Sequence, residues 1–307
     1  MRKVLLLLLL CMGWEMIAPA QDVTTYLYAR KDTADLYLDI YEPVSGSEMS
    51  VDGIEKPTIL FAFGGGFITG TRNDKFYLPW FHALNEAGYR VVSIDYRLGL
   101  VGVKHMGVLK ANKLAEAIYM AEDDMLTATA WLIRYGDQLG INADNIVLAG
   151  SSAGAITALQ TVFETTNGTY RTRMLPEGYR YAGVMSFSGA IYTTHGKLKF
   201  MTKPCPTLLF HGTKDSLVPY SQIKVLNVGF FGSNKIAERY RKFGYDYRFY
   251  RYTDHYHEVA SSMPRTVDKQ FDFLENVVCR RQKGIIDEYV DDPEMEYWKG
   301  TAKDLYK

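Results

Sequence analysis

The sequence predicts an α/β fold: a mostly parallel central sheet with helices on both faces and antiparallel strands at its N-terminal edge. Three observations lead there. Short, nearly continuous apolar runs recur along the chain, as in strands covered on both sides. Longer amphipathic stretches alternate with them, which implies parallel strands joined by helices. Two early segments alternate strictly, as half-buried antiparallel strands do.

The first twenty residues are set apart from this pattern. Arg2 and Lys3 precede the apolar run Val4–Leu10, and Ala18-Pro19-Ala20 supplies a small-x-small cleavage pattern. They read as a signal peptide cut after Ala20, with the protein secreted or periplasmic. The run is short for a membrane span, and no stable membrane insertion is expected after cleavage. Residues 21–307 then form a single α/β domain. Thr24–Ala29 and Leu36–Tyr41 are the alternating strands. Ile59–Phe63, Val91–Tyr96, Asn145–Ala149, Gly183–Phe187 and Thr207–His211 are the apolar ones. Tyr245–Tyr252 mixes aromatic and charged residues, as a strand nearer the sheet edge does. Helices are expected at Phe76–Ala87, Leu109–Tyr135, Ala153–Phe163 and Val267–Arg281. Residues from about 283 to 307, acidic and aromatic, are expected to lie as a tail over the surface.

The 307 residues carry 35 Lys and Arg against 35 Asp and Glu. That balance leaves no overall basic field for nucleic acid or an anionic membrane. No metal-type Cys/His spacing occurs, and neither metal nor organic cofactor is expected. Cys205 and Cys279 remain after signal removal. An oxidising compartment permits a bridge between them; the alternative is two separate buried thiols. Asn167-Gly168-Thr169 is a glycosylation sequon, meaningful only in a host with that machinery.

Chemistry concentrates in IVLAGSSAGA, residues 146–155. A strand leads in, a helix leads out, and Gly150-Ser151-Ser152-Ala153-Gly154 forms G-x-S-x-G between them. Only Ser152 has glycine two positions before and after, as a nucleophile on a tight strand-to-helix turn requires. Ser151 is then filler. The helix N-terminus favours developing negative charge, and the Ala153 amide is a natural oxyanion donor. Gly64-Gly65-Gly66 follows another apolar strand and exposes backbone amides without side chains, as an oxyanion hole needs. A flexible loop is the bland alternative; phosphate-cradle spacings are absent.

These motifs, with Asp95-Tyr96-Arg97, HGTKD at 211–215 and a late histidine, resemble the α/β-hydrolase fold. They are most similar to its carboxylesterase/lipase group with an HGGG-type oxyanion loop, including bacterial acetyl- and feruloyl-esterase-like members. The resemblance spans roughly residues 35–280. It implies oxyanion amides at Gly65 and Gly66 beside Ala153, and a triad in the order Ser, acid, His. Asp215 is then the acid. His257, nearer the following helix, is the preferred base, with His255 as the alternative. His82, His105, His195 and His211 read as structural or exposed. One departure stands out: Phe63 occupies the place of the group's usual loop-organising histidine.

The expected activity is an exported serine carboxylesterase acting on short-chain or aromatic acyl esters, including those on polysaccharide fragments. Segments Leu98–Leu109 and Thr165–Arg180 are too short for a lipase lid, and Phe67, Tyr192 and Tyr256 are candidates to shape a pocket. The alternatives are a prolyl-oligopeptidase-like serine peptidase and a catalytically silent binding protein on the same fold. Acyl specificity and oligomeric state are not written in the sequence.

Overall fold

A computed structural model describes residues 23–32, 34–103 and 111–298. The predicted signal segment, His105 and the whole second half of Leu98–Leu109 lie outside the described residues.

The chain opens with β1 (Val23–Lys31) and β2 (Ala34–Tyr41), an antiparallel pair, then the short hairpin β3 (Ser50–Val51) and β4 (Ile54–Glu55). β5 (Thr58–Ala62) leads through a glycine loop to α1 (Leu78–Glu86) and β6 (Val91–Ile94). The long α2 (Ala111–Tyr135) precedes β7 (Ile146–Ser151), α3 (Ala153–Asn167) and β8 (Gly183–Phe187). β9 (Ala190–Thr193), β10 (Thr207–Gly212), β11 (Gln222–Val225), β12 (Val228–Gly232) and α4 (Ser233–Phe243) follow. β13 (Tyr247–Tyr252), α5 (Val267–Asp272), a π-helical turn at Phe273–Cys279 and β14 (Ile285–Val290) complete the described fold.

Nine strands form one sheet in the order β1-β2-β6-β5-β7-β8-β10-β13-β14. β1, β2 and β6 pair antiparallel, and every later neighbour pairs parallel. Each residue of β5, β7, β8 and β10 is buried, which accounts for their unbroken apolar sequence. Their C-terminal ends gather the loops that carry the candidate site, as open α/β sheets do.

Two features depart from expectation, and one open alternative is decided. The segment after residue 283 is not simply a surface tail: β14 extends the sheet beside β13. Its acidic residues are not all solvated. Asp287 accepts from the Tyr247 hydroxyl at 2.7 Å and is the counter-ion of Arg251, which is 5% exposed. Cys205 and Cys279 are both free thiols, so the bridge is not made. Burial pushes the Cys205 thiol up to about 12, leaving it inert. Not anticipated at all are α4 and the small sheet β11-β12-β9. Short strands interrupted by Gly229 and Gly232 carry little periodicity to read.

Candidate active site

β7 ends in a sharp turn. Ser152 sits at φ 50°, ψ −115°, a conformation strained for any residue with a Cβ, and α3 begins at the next residue. The Ser152 amide donates to the Phe187 carbonyl at 2.8 Å, and its own carbonyl accepts from Ile156 at 2.9 Å. Both flanking glycines are sterically required. A Cβ on Gly150 would lie 2.2 Å from the Gly154 carbonyl oxygen, and one on Gly154 would lie 2.0 Å from that of Ala62. The second clash also fixes where the glycine loop leaves β5: directly against the turn.

Ser152 Oγ lies 2.7 Å from His257 Nε2, and His257 Nδ1 lies 2.7 Å from Asp215 Oδ2. All three residues are at most 7% exposed. A carboxylate only accepts, so Nδ1 carries the proton and Nε2 is free to accept from the serine hydroxyl. Asp215 Oδ1 takes the amides of Leu217 and Val218 at 2.9 and 3.1 Å. Burial alone would push its carboxyl up. Hydrogen bonds from His211 and His257 outweigh that and hold it well below the usual carboxylate range.

His211, expected to be structural or exposed, is fully buried and joins this hydrogen-bond chain. Its Nε2 lies 3.2 Å from the same Asp215 oxygen that receives His257, and 3.2 Å from the Val218 carbonyl. Its Nδ1 lies 2.8 Å from Ser233 Oγ at the start of α4. With acceptors at Nε2, the proton sits there and the Ser233 hydroxyl donates to Nδ1. His211 therefore positions Asp215. The four-residue spacing within HGTKD was visible, but its meaning depended on α4 arriving underneath.

His255 is engaged elsewhere. Its Nδ1 meets Glu258 Oε1 at 2.9 Å, its Nε2 meets the Asp292 carbonyl at 3.0 Å, and its ring stacks on Tyr297 at 4.6 Å. It ties the segment after β14 to the loop that carries His257. Ser151 is not filler either. Its buried hydroxyl donates to the Ala260 carbonyl at 2.7 Å, linking the serine turn to the 3-10 turn His257–Ser261.

In the glycine loop, Gly65 and Gly66 have φ of 122° and 64°, open only to glycine without strain. The Gly65 carbonyl accepts from the amides of Ile68 and Thr69 at 3.0 and 3.2 Å. Tyr77 Oη accepts from the Gly64 amide at 2.9 Å, and the Tyr96 hydroxyl donates to the Phe63 carbonyl at 2.7 Å. The Phe63 ring stacks on Tyr96 with centroids 4.4 Å apart. Two tyrosines and a stacked phenylalanine thus anchor the loop.

Of the pocket candidates, Phe67 is buried edge-on to Tyr96, and Tyr256 adjoins His257. Tyr192 is elsewhere: it packs against Tyr119 and lines a cavity of about 650 Å³ with Phe163. Phe163 is eleven residues along α3 from Ser152, roughly 16 Å at 1.5 Å per residue. The Asn167 amide of the sequon is used internally, donating to Lys199 O at 3.2 Å. Among the described residues no group of three His, Cys, Asp or Glu side chains could hold a metal ion, and no helix is long and apolar enough to cross a membrane.

Sheet order, serine turn and glycine loop together define an α/β-hydrolase of the carboxylesterase group. Residues 38–194 match the BD-FAE family model, and the chain belongs to that family. In fold it is similar to an esterase from Thermogutta terrifontis, Est2: TM-score 0.57, 19% identity, covering 86% of this chain and 96% of that one. In sequence it is similar to the juvenile hormone esterase of Heliothis virescens, 29% identical over 124 residues, which is 40% of this chain and 21% of that protein. It is also similar to esterase LipI of Mycobacterium tuberculosis, 33% identical over 108 residues, 35% of this chain and 29% of LipI. The matched stretches span under a third of either relative.

Proposed function

We propose that the protein is an exported serine carboxylesterase that hydrolyses short-chain or aromatic acyl esters, including esters on polysaccharide fragments. The observation that carries this reading is the continuous hydrogen-bond chain Ser152–His257–Asp215, with 2.7 Å at each link. Ser152 Oγ attacks the ester carbonyl carbon while His257 Nε2 takes its proton. Asp215 holds the tautomer and balances the imidazolium. The amides of Gly65, Gly66 and Ala153 receive the oxyanion. The alcohol leaves with the proton from His257. Water then attacks the acyl-enzyme, again deprotonated by His257, and the acid is released. Its similarity to juvenile hormone esterase and LipI supports ester rather than amide substrates. The N-terminal signal pattern supports export, and with it a substrate outside the cytoplasm.

A fluorophosphonate probe tests the chemistry. The expected result is one adduct on Ser152, lost in Ser152→Ala and kept in Ser151→Ala, with p-nitrophenyl acetate turnover following the adduct. Folded protein that takes no adduct would sink the proposal. Turnover of acetyl and feruloyl esters of xylo-oligosaccharides, measured against p-nitrophenyl acetate, tests the substrate class.

A further inference from the structure

Equal totals of positive and negative side chains conceal an uneven distribution. Between residues 196–199, the β11–β12 hairpin and α4 lies a hollow of about 360 Å³. Lys197, Lys199, Lys224, Arg239 and Lys242 line it, and none of the five is ion-paired among the described residues. Glu238, the one carboxylate in its wall, is taken by Lys235.

The hairpin beside this hollow is apolar and exposed. Its register pairs Val225 with Val228 and Ile223 with Phe230, so these side chains share one face, while Lys224 points to the other. Ile223 and Val225 are each 59% exposed, and Leu226 at the tip is 88% exposed. Leu226 also sits at φ 53°, where a hairpin turn favours glycine or asparagine. Leucine there serves neither the turn nor the core. Single exposed aliphatics are ordinary; a cluster of them on one face and at the tip of a hairpin, with unpaired cations along the opposite face, marks an interaction surface.

We propose that this hairpin and its cationic flank form a peripheral docking site for an anionic lipid surface. The hairpin enters tip first: Leu226 and the aliphatic face reach the boundary of the acyl chains, and the lysines and arginines along the opposite face meet the headgroup phosphates. A second copy of the chain is disfavoured, because a two-fold contact at the hairpin tip brings the cations beside the two tips together. An acidic glycan or nucleic acid would satisfy the cations and leave the aliphatics in water. The zero net charge that argued against an anionic membrane described the sum and not the placement.

The test is flotation with vesicles of phosphatidylcholine, with and without phosphatidylglycerol. The protein should float with the anionic vesicles alone, and less so as salt rises. Lys197→Gln/Lys199→Gln should lower partitioning roughly 25-fold, about five-fold per cation. Leu226→Ser should weaken vesicle binding several-fold and leave retention on a heparin column unchanged. All variants should keep full p-nitrophenyl acetate turnover, since none of these residues belongs to the serine site. The proposal is overturned by no flotation with anionic vesicles, or by equal flotation with neutral ones. It is equally overturned if Leu226→Ser leaves vesicle binding intact, which would indicate a polyanion patch, or dissociates a stable dimer.

Discussion

The two halves of the candidate site are built by different means. The nucleophile half comes from two short motifs, each directly following a buried strand, and its shape is enforced by missing side chains: Gly150 and Gly154 have no room for a methyl group. The acid–base half joins residues 42 apart in sequence through side-chain hydrogen bonds that no single motif contains. His211 and Ser233 hold Asp215, while Ser151 and His255 brace the turn bearing His257. Exclusion by backbone contact is rigid and local; a hydrogen-bond network is only as good as the elements that converge on it. Substitutions should therefore damage the halves differently.

The largest contrast is between the two neighbouring histidines. His257→Ala should lower kcat by roughly 10⁶-fold, as expected for loss of a triad base. His255→Gln, which disturbs only the brace, should cost less than about ten-fold; comparable losses would mean that the proposed roles are wrong. In the nucleophile half, Gly154→Ala forces Cβ against the Ala62 carbonyl. It should destabilise the fold by about 3 kcal/mol or more, seen as a lower denaturation midpoint. In the acid–base half, His211→Met should lower kcat about 10- to 100-fold with KM unchanged, because Asp215 loses a donor and its fixed orientation. His211→Gln restores an N–H near the same point and should recover part of that rate. Equal losses in Met and Gln would reduce His211 to packing.

The smallest expected effect lies outside both halves and separates stability from rate. Glu122 is fully buried with Oε1 unpartnered, and burial together with Glu164 raises its carboxyl to about 9. The folded state thus keeps a proton that the unfolded state releases above the ordinary carboxyl range, so stability is lost as pH rises toward 9. Glu122→Gln should add about 2 kcal/mol at pH 8, fading near pH 5, with kcat unchanged. Thermal melts at the two pH values check this.

Much of the nucleophile half could be read in advance, since glycine spacing records steric limits that hold wherever the motif occurs. The same holds for the central strands, whose burial on both faces leaves an apolar run. His211 illustrates the opposite case. Its imidazole looks the same in sequence whether it faces solvent or an aspartate; the Asp215 carboxylate and Val218 carbonyl at Nε2 settle its tautomer, and Ser233 on an unanticipated helix completes the contact at Nδ1. Phe63 is similar: its stack on Tyr96 joins residues that follow two separate strands, β5 and β6.

By itself, the sequence determined the alternation of strand and helix, the strained turn at Ser152 and the glycine loop after β5. These depend on backbone sterics and on the periodicity of burial, which neighbouring residues dictate. Only the tertiary structure decided the rest: that His257 rather than His255 reaches Ser152, that β14 joins the sheet, that two cysteines stay apart, and that cations gather beside an exposed hairpin. Each of those depends on which distant surfaces meet, because hydrogen bonds and charges act between whatever groups folding brings within a few ångströms, however far apart they lie along the chain.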